Sequence, residues 1–208
     1  KEYRRREWDA GTMDEEILRE DLLGSAGNAD VVDEVNHDQW EPNDQELPAK
    51  FHKAMMGKRG EFLSPYSTEE LAHMKLFKVL GQDAGFAIKA DGTGVSLFNN
   101  TGAPGVGSAL MRAAKQHGMT KGDHFDGFLT GYYEKFGFHV DHTEPWNDDY
   151  APAGWKYKPV NFFDQSTSVY AKKATEFKGR PDNEWPRDLL AARKRYESGR
   201  PDIVYRSY

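Results

Sequence analysis

The chain has 208 residues, with 28 Lys and Arg against 34 Asp and Glu, a formal net charge of -6 and no cysteine. Because a domain usually holds about 100–200 residues, this length predicts one compact core with extensions. The acidic balance argues against a general nucleic-acid binder, since phosphate backbones attract a basic face, and the lack of cysteine excludes a disulfide, a thiolate metal site and a cysteine nucleophile.

Apolar runs are short throughout the sequence. None approaches the roughly 18 residues that a membrane span needs, and no signal-peptide pattern is visible. We therefore expect neither a membrane partner nor secretion by a signal peptide. The first residue is Lys1 rather than Met, which indicates a piece processed or excised from something longer.

Residues 1–60 are predicted to form an acidic arm that is partly helical and partly extended. The pattern Thr12-Met-Asp-Glu15 is a capping box and predicts a helix over residues 13–23. The stretch 30–46 carries seven acids and no Lys or Arg, without a sustained hydrophobic period, so we expect it to be extended or loosely ordered. Pro48 then favours the first turn of a short helix through Met56.

Residues 61–150 are predicted to hold the core. A second capping box, Ser67-Thr-Glu-Glu70, predicts a helix whose apolar stripe consists of Leu71, Met74, Phe77, Val79 and Leu80. The runs 85–90 and 95–98 follow, and both are rich in residues that favour strands. Because Asp91-Gly92 lies between them, we expect an antiparallel hairpin.

A glycine-rich loop follows the hairpin, directly before an amphipathic helix predicted to end near Gln116 and Gly118. The order of strand, glycine loop and helix N-terminus can hold a diphosphate, because the free N–H groups of the first turn and the helix dipole both favour an anion. Glycines without a Cβ let a phosphate approach the main chain closely. The candidate cofactor-binding residues are Gly102, Gly105, Val106, Gly107 and Ser108.

The pattern beyond this loop predicts short alternating elements. Phe125 lies in a short strand or turn, residues 128–135 in a helix, and residues 138–140 in a strand. Residues 151–208 are predicted to form a C-terminal extension rich in aromatic and basic residues. Its expected elements are a strand within 161–170, a helix over 186–196 and a last strand over 203–205 that returns to the sheet. The tetrad Gly-Arg-Pro-Asp occurs on both sides of that helix, at 179–182 and 199–202.

Two motifs, in this order, resemble the GNAT family of N-acetyltransferases. The family's pyrophosphate loop, Arg/Gln-x-x-Gly-x-Gly/Ala, is similar to Gly102-Ala-Pro-Gly105-Val-Gly107, and its later motif Tyr-Glu-Lys-x-Gly-Phe is matched by Tyr133-Glu-Lys-Phe-Gly-Phe138. The resemblance covers roughly residues 66–150. It implies an α/β (α+β) fold with a GNAT-like mixed, mostly antiparallel sheet flanked by helices, an N-terminal arm and a C-terminal extension.

The resemblance implies an acyl-CoA-dependent N-acyltransferase that moves an acetyl group from acetyl-CoA to an amine. Such a reaction needs a base for the ammonium proton and an acid for the leaving thiolate. By resemblance Tyr133 is the acid; its structural alternative is a core tyrosine at a helix–strand junction. The candidate bases are Glu134, Asp126 and His124, with the alternatives of a solvated helix residue, a turn or cap, and a surface histidine.

Two further clusters favour structural roles. A metal site at His139 and His142 is not expected, because residues three apart on a strand point to opposite faces. The aromatic cluster of Trp146, Tyr150, Trp155 and Tyr157 is predicted to pack the C-terminal extension onto the sheet, with an acyl or substrate pocket as the alternative.

The chain is also similar to GNAT-like segments of bacteriophage and prophage proteins, many of which are virion-associated. This resemblance implies a phage-encoded protein located in the host cytoplasm or the virion. The alternative function is a non-catalytic virion structural or interaction protein, whose partners are other virion proteins or further copies of itself. Gly102 favours that alternative, since the family prefers Arg or Gln there, and so does Asp126, which stands where the family has Asn. A third possibility is an effector that acetylates a host component.

Overall fold

The computed structural model describes residues 45–57, 63–165 and 168–208. These residues form a mixed α/β structure with six α-helices and two small antiparallel sheets. The helices are α1 (Leu47–Met55), α2 (Thr68–Leu71), α3 (Val106–Gln116), α4 (Phe128–Lys135), α5 (Ala171–Ala174) and α6 (Arg187–Glu197). The strands are β1 (Lys75–Lys78), β2 (Ala84–Ile88), β3 (Gly94–Asn99), β4 (Lys121–Phe125), β5 (His139–Glu144) and β6 (Ile203–Ser207).

The described residues divide into two compact units. The first comprises residues 45–57, 63–122 and 152–154, and the second comprises 123–151, 155–165 and 168–208. The predicted helix over 13–23 and the acidic stretch up to residue 44 lie outside the described residues. Within the described ranges, no helix combines the length and the apolar character needed to cross a membrane.

The first unit is built on a β1-β2-β3 sheet with antiparallel pairing. Helix α1 forms where it was predicted, with Pro48 in its first turn, and it buries Phe51, whose ring meets Phe98 of β3 edge-on at 5.3 Å. Full burial of such a side chain stabilises the fold by about 1.5–3 kcal/mol. The other members of this core are Ala54, Met55, Leu71 and Ala87, and α3 also packs against β2 and β3.

The prediction of a long helix behind the second capping box is wrong. The box itself forms, with Ser67 N donating to Glu70 Oε2 at 2.7 Å, but α2 ends at Leu71 and residues 75–78 are strand β1. Phe77 lies opposite Phe86 on β2, and their rings stack at 4.7 Å. Cross-strand pairing of two aromatic rings outweighs the local helical spacing, so the apolar residues after α2 follow a strand instead.

The second unit is built on a sheet in the order β4-β6-β5, so the last strand returns to the sheet as predicted. Helix α6 packs Leu189 and Tyr196 into a cluster with Phe162 and Trp185. The strand expected within 161–170 is absent from the described part of that range. A turn forms there instead, and the Asn161 side chain stabilises it by accepting a hydrogen bond from Phe163 N at 3.1 Å. Such a local bond competes with strand pairing.

The two Gly-Arg-Pro-Asp tetrads give a matched test of packing. Gly199 and Gly179 both have left-handed backbones, with φ of 74° and 84°. A Cβ on Gly199 would lie 2.0 Å from the carbonyl carbon of Tyr157, whereas a Cβ on Gly179 would have no neighbour within 4 Å. We expect Gly179→Ala to lower the free energy of unfolding by about 1–2 kcal/mol through backbone strain alone, and Gly199→Ala to lower it by more than about 4 kcal/mol. Urea denaturation measures both, and equal losses would refute the close approach at Gly199.

Candidate functional site

The glycine loop between β3 and α3 has a defined conformation. The Asn99 side chain accepts hydrogen bonds from Thr101 N at 3.1 Å and Thr101 Oγ1 at 2.6 Å, and Thr101 Oγ1 accepts one from Ala103 N at 3.1 Å. Gly102 and Gly105 then take left-handed φ values of 68° and 80°. Only glycine adopts such values without strain, so these residues let β3 turn sharply into α3.

The N-terminus of α3 presents main-chain donors. Its N-cap, Gly105, has no capping side chain, and the first backbone bond of the helix runs from Ala109 N to Gly105 O at 3.0 Å. The N–H groups of Val106, Gly107 and Ser108 belong to the first turn of α3, where an α-helix supplies no intrahelical acceptor, and a hydrogen-bonded turn over 104–105 precedes them. Such a helix N-terminus favours an anion, because its donors and the helix dipole both attract negative charge. The space beside Gly102 is open, since a Cβ there would have no neighbour within 4 Å.

The sequence that carries this helix terminus is poor in acids. Residues 92–122 contain no Asp or Glu, although the whole chain carries a net charge of -6. The cations of that stretch lie in the second half of α3 or beyond it and are Arg112, Lys115 and Lys121. Lys121 pairs with Asp91 at 2.9 Å, and the hydrogen bond from that lysine holds the pKa of the Asp91 carboxyl well below its usual range. An acidic residue, Asp83, lies beside the glycine loop, since its carbonyl accepts a hydrogen bond from Asn100 N at 2.8 Å.

The loop follows the carboxyl end of β3 and leads through α3 to β4. These two strands belong to different antiparallel sheets, and only an isolated parallel bridge joins Thr93, just before β3, to Lys121 at the start of β4. The five predicted cofactor-binding residues thus share one position in the first unit, next to the end of β3.

The predicted catalytic residues, Tyr133 and Glu134, lie on α4 in the second unit. Tyr133 is 7% exposed, and its ring stacks on His124 with the centroids 4.8 Å apart and meets Phe138 at 5.5 Å. Burial raises the pKa of the Tyr133 phenol well above its usual value. The phenol therefore keeps its proton at neutral pH.

A buried arginine that sequence analysis missed organises the surroundings of Tyr133. The guanidinium of Arg206 on β6 donates to His124 Nε2 at 3.0 Å, to the carbonyl of Thr130 at 2.9 Å and to that of Phe138 at 3.3 Å, and lies 3.6 Å from the Glu134 carboxylate. Burial lowers the pKa of Arg206. The sequence did hold a signal for this burial. Arg206 lies two residues after Val204 in the run Ile203-Val-Tyr-Arg-Ser207, and alternate residues of a strand share one face.

Asp126 and His124 are both buried rather than exposed. Asp126 accepts hydrogen bonds from the hydroxyls of Thr130 and Tyr196 and from Val169 N at 3.0 Å, and burial raises its pKa. His124 Nδ1 lies 2.8 Å from Phe125 O, and burial lowers the pKa of its ring to about 3. The alternative of a surface histidine is therefore wrong, and both groups serve to join elements of the second unit.

The aromatic cluster packs the C-terminal extension, in line with the structural interpretation. Trp146 meets Trp155 at 4.7 Å, Trp155 meets Phe125 of β4 at 4.8 Å, and the Trp155 indole donates to Gly199 O at 2.8 Å. Tyr150 is 84% exposed and lies outside this packing. The described residues contain no group of three metal-ligating side chains.

Comparison with protein-family models, curated proteins and solved structures gives no match to this chain. Its function therefore has to be argued from its own residues. The strongest feature for that purpose is the N-terminus of α3 behind its glycine loop, because burial and hydrogen bonding already account for His124 and Asp126 as structural groups. The third candidate base, Glu134, is an exposed helix residue beside Arg206, as its structural alternative predicted.

The buried His124 makes stability depend on pH. Its pKa is about 3 in the folded protein and about 6.5 when unfolded, so between these values the unfolded state binds the extra proton and the folded protein loses stability as the pH falls. Asp126 acts in the opposite sense, since its raised pKa gives stability that is lost as the pH rises above 3.8.

We expect His124→Gln to flatten the decline in the free energy of unfolding between pH 6.5 and pH 4. The decline that His124 causes in the wild type has a slope of up to about 1 kcal/mol per pH unit. Glutamine keeps an acceptor for Arg206. Urea titrations of both proteins at each pH measure the difference, in which the contribution of Asp126 cancels. A variant with the wild-type slope would show that His124 is protonated in the folded protein.

Proposed function

We propose that this chain is a GNAT-like acyl-CoA-dependent N-acyltransferase that binds the cofactor's diphosphate at the N-terminus of α3. One observation carries the proposal: the first-turn N–H groups of Val106, Gly107 and Ser108, which have no intrahelical acceptor, directly follow two left-handed glycines within a stretch of sequence that lacks carboxylates. The order of antiparallel hairpin, glycine loop, helix and parallel-bridged strand supports it further.

The residues present fit an acyl-CoA. The first-turn N–H groups suit phosphate oxygens in sign, and glycine at 107 places no side chain between the main chain and a ligand. The bound cofactor would supply a thioester, whose carbonyl an amine can attack. The protein's part at this end is to hold the diphosphate and so fix the position of the rest of the molecule.

Tyr133 is the residue we assign to proton donation. The assignment follows from its place in the Tyr-Glu-Lys motif. Burial raises the pKa of the phenol, which keeps it protonated at neutral pH and makes it a weaker acid than an exposed tyrosine. Glu134 receives no proton-transfer role, because its carboxylate lies beside the Arg206 guanidinium. Asp126 likewise accepts bonds from Thr130 and Tyr196 and serves the fold.

A non-catalytic bacteriophage virion protein is the second candidate, and the burial of Tyr133 favours it. The phenol is 7% exposed and packs against His124 and Phe138, so a substrate can reach it only after these rings move. The two candidates differ in whether a bound acyl-CoA is turned over, and both a binding and a turnover measurement are therefore needed.

Gly107→Asp should separate binding from folding. A carboxylate in the first turn of α3 favours the helix dipole, so the melting temperature should stay the same or rise. The same charge repels a diphosphate, so the dissociation constant for acetyl-CoA should rise at least about tenfold, which corresponds to about 1.4 kcal/mol. Isothermal titration calorimetry measures the affinity. Gly107→Asn is the matched neutral control, and an equal loss in both variants would point to crowding rather than charge.

Tyr133→Phe should remove turnover and preserve binding. The variant keeps the ring that packs on His124 and loses only the proton donor, so we expect kcat to fall by about 10²–10⁴-fold with the acetyl-CoA affinity unchanged. Release of free coenzyme A in the presence of a panel of amines measures turnover. Wild-type protein that binds acetyl-CoA without turnover on any amine would favour the non-catalytic candidate.

A further inference from the structure

Strand β5 lies at the edge of the sheet in the second unit. Among the described residues it pairs with β6 on one side, and the strand order β4-β6-β5 gives it no neighbouring strand on the other. Five of its six residues are exposed, and the apolar Val140 is 41% exposed. An edge of this kind presents main-chain N–H and C=O groups with which a further strand can pair.

A β-bulge in β5 decides which of its side chains share a face. The pairing with β6 passes from Val140 to His142, so Asp141 is an extra residue in the ladder. The Ser207 hydroxyl donates to Asp141 Oδ1 at 2.6 Å. The His142 ring stacks on the Tyr205 ring with the centroids 4.4 Å apart. Because Tyr205 and Ser207 are alternate residues of β6, Asp141 and His142 lie on the same face.

The remaining residues of β5 follow from their partners on β6. His139 pairs with Ser207 and Glu144 pairs with Ile203, so both lie on the face that carries Asp141 and His142. The two other residues, Val140 and Thr143, pair with Arg206 and Val204 and lie on the opposite face.

The sequence of β5 is complementary to itself when two copies run antiparallel. In one register His139 faces Glu144, Val140 faces Thr143, and Asp141 faces His142. Each pair joins residues of the same face, as directly opposed residues of a sheet require. Without the bulge, Asp141 and His142 would lie on opposite faces and this register could not form.

Charge selects this register over its neighbours. A shift by one residue would place His142 opposite His142, or Asp141 opposite Asp141, and like groups directly opposed are unfavourable. In the complementary register every histidine faces a carboxylate, to which its ring can donate a hydrogen bond or, when protonated, pair as an ion. Charged side chains usually keep an edge from pairing with other chains, but here they match a second copy of the same edge.

We propose that β5 is the interface of a homodimer, in which two copies pair antiparallel across a two-fold axis with His139 opposite Glu144. Both copies use the same edge, so the contact closes after two chains and does not extend into a fibre. A six-residue edge buries less than the roughly 1,600 Å² of a standard interface. We therefore expect a weak dimer with a Kd of roughly 1–100 μM. This interface forms whether or not the chain binds an acyl-CoA.

Charge reversal and charge exchange test the register. His139→Glu places two carboxylates opposite each other twice in the dimer, so its Kd for dimerisation should rise at least about tenfold. The exchange variant His139→Glu/Glu144→His restores the pairs in reverse order, and its Kd should return to within about threefold of the wild-type value. His73→Glu is the matched control, because it makes the same change at an exposed histidine of the first unit. Sedimentation equilibrium measures each Kd, and circular dichroism checks each fold.

Three results of this experiment would overturn the interface. They are a wild type that stays monomeric up to about 500 μM, a His139→Glu variant that dimerises like the His73→Glu control, and an exchange variant that dimerises no better than His139→Glu.

Cross-linking reads the same register without altering its charges. The chain has no cysteine, so introduced thiols are the only ones present. A Val140→Cys copy and a Thr143→Cys copy place their thiols at facing positions, where Cα atoms are about 4.5–5.5 Å apart and a disulfide can form. In either variant alone the thiols are three residues apart along the strands, roughly 10 Å. On mild oxidation the mixture should cross-link at least about tenfold faster than either variant, and equal rates would rule out this register.

Discussion

A charge taken out of water must find partners inside the protein, and the second unit is arranged around that constraint. The side chain of Arg206 is wholly buried, and its guanidinium meets a ring nitrogen, two main-chain carbonyls and a carboxylate that come from β4, α4 and the segment before β5. Removing any one acceptor would leave part of a buried cation unmatched, which costs more than a neutral hydrogen bond contributes. The positions of β4, α4 and β5 around β6 are therefore coupled to one another.

Two buried carboxylates bind side chains of α6. Asp126 accepts from Tyr196, while Asp202 is 1% exposed, receives two hydrogen bonds from Arg195 at 2.9 and 3.0 Å, and accepts a third from Tyr170 at 2.7 Å. The Asp126 carboxylate joins the C-terminal extension to Thr130 on α4, whereas the Asp202 carboxylate links residues within that extension. Asp126, which stands where the GNAT pattern has Asn, thus has a structural explanation that does not involve a cofactor.

The first unit leaves two polar atoms, on β3 and just after it, buried without a hydrogen-bond partner among the described residues. Its core of Phe51, Leu71 and Phe98 is apolar and closely packed, yet the Ser96 hydroxyl on β3 and the Asn100 side-chain oxygen just after it are buried without a partner among the described residues. Buried polar groups in folded proteins are nearly always hydrogen-bonded. These two atoms are therefore exceptions in the segment that leads into the glycine loop.

The glycine loop and the start of α3 could be predicted from local sequence alone. Glycines at 102 and 105 are needed for left-handed turns whatever packs around them, and the helix behind them follows from its own periodicity. The hairpin at Asp91-Gly92 and the helix over 128–135 were predictable for the same reason, since turn chemistry and short-range spacing act within a few residues. These elements are the ones that place Val106, Gly107, Ser108 and Tyr133.

Tertiary structure decided what depends on residues distant in the chain. Phe77 had helical spacing but lies in a strand because Phe86, nine residues later, stacks on it. His124 and Asp126 were candidate bases, and only their contacts with Arg206 and Tyr196, more than sixty residues away, show them to be buried structural groups. Glu134 is an exposed helix residue that lies 3.6 Å from the Arg206 guanidinium. The sequence by itself determined turns, caps and the glycine loop, because those are local energies. Burial and charge pairing were decided by the tertiary structure, because they depend on which distant side chains meet.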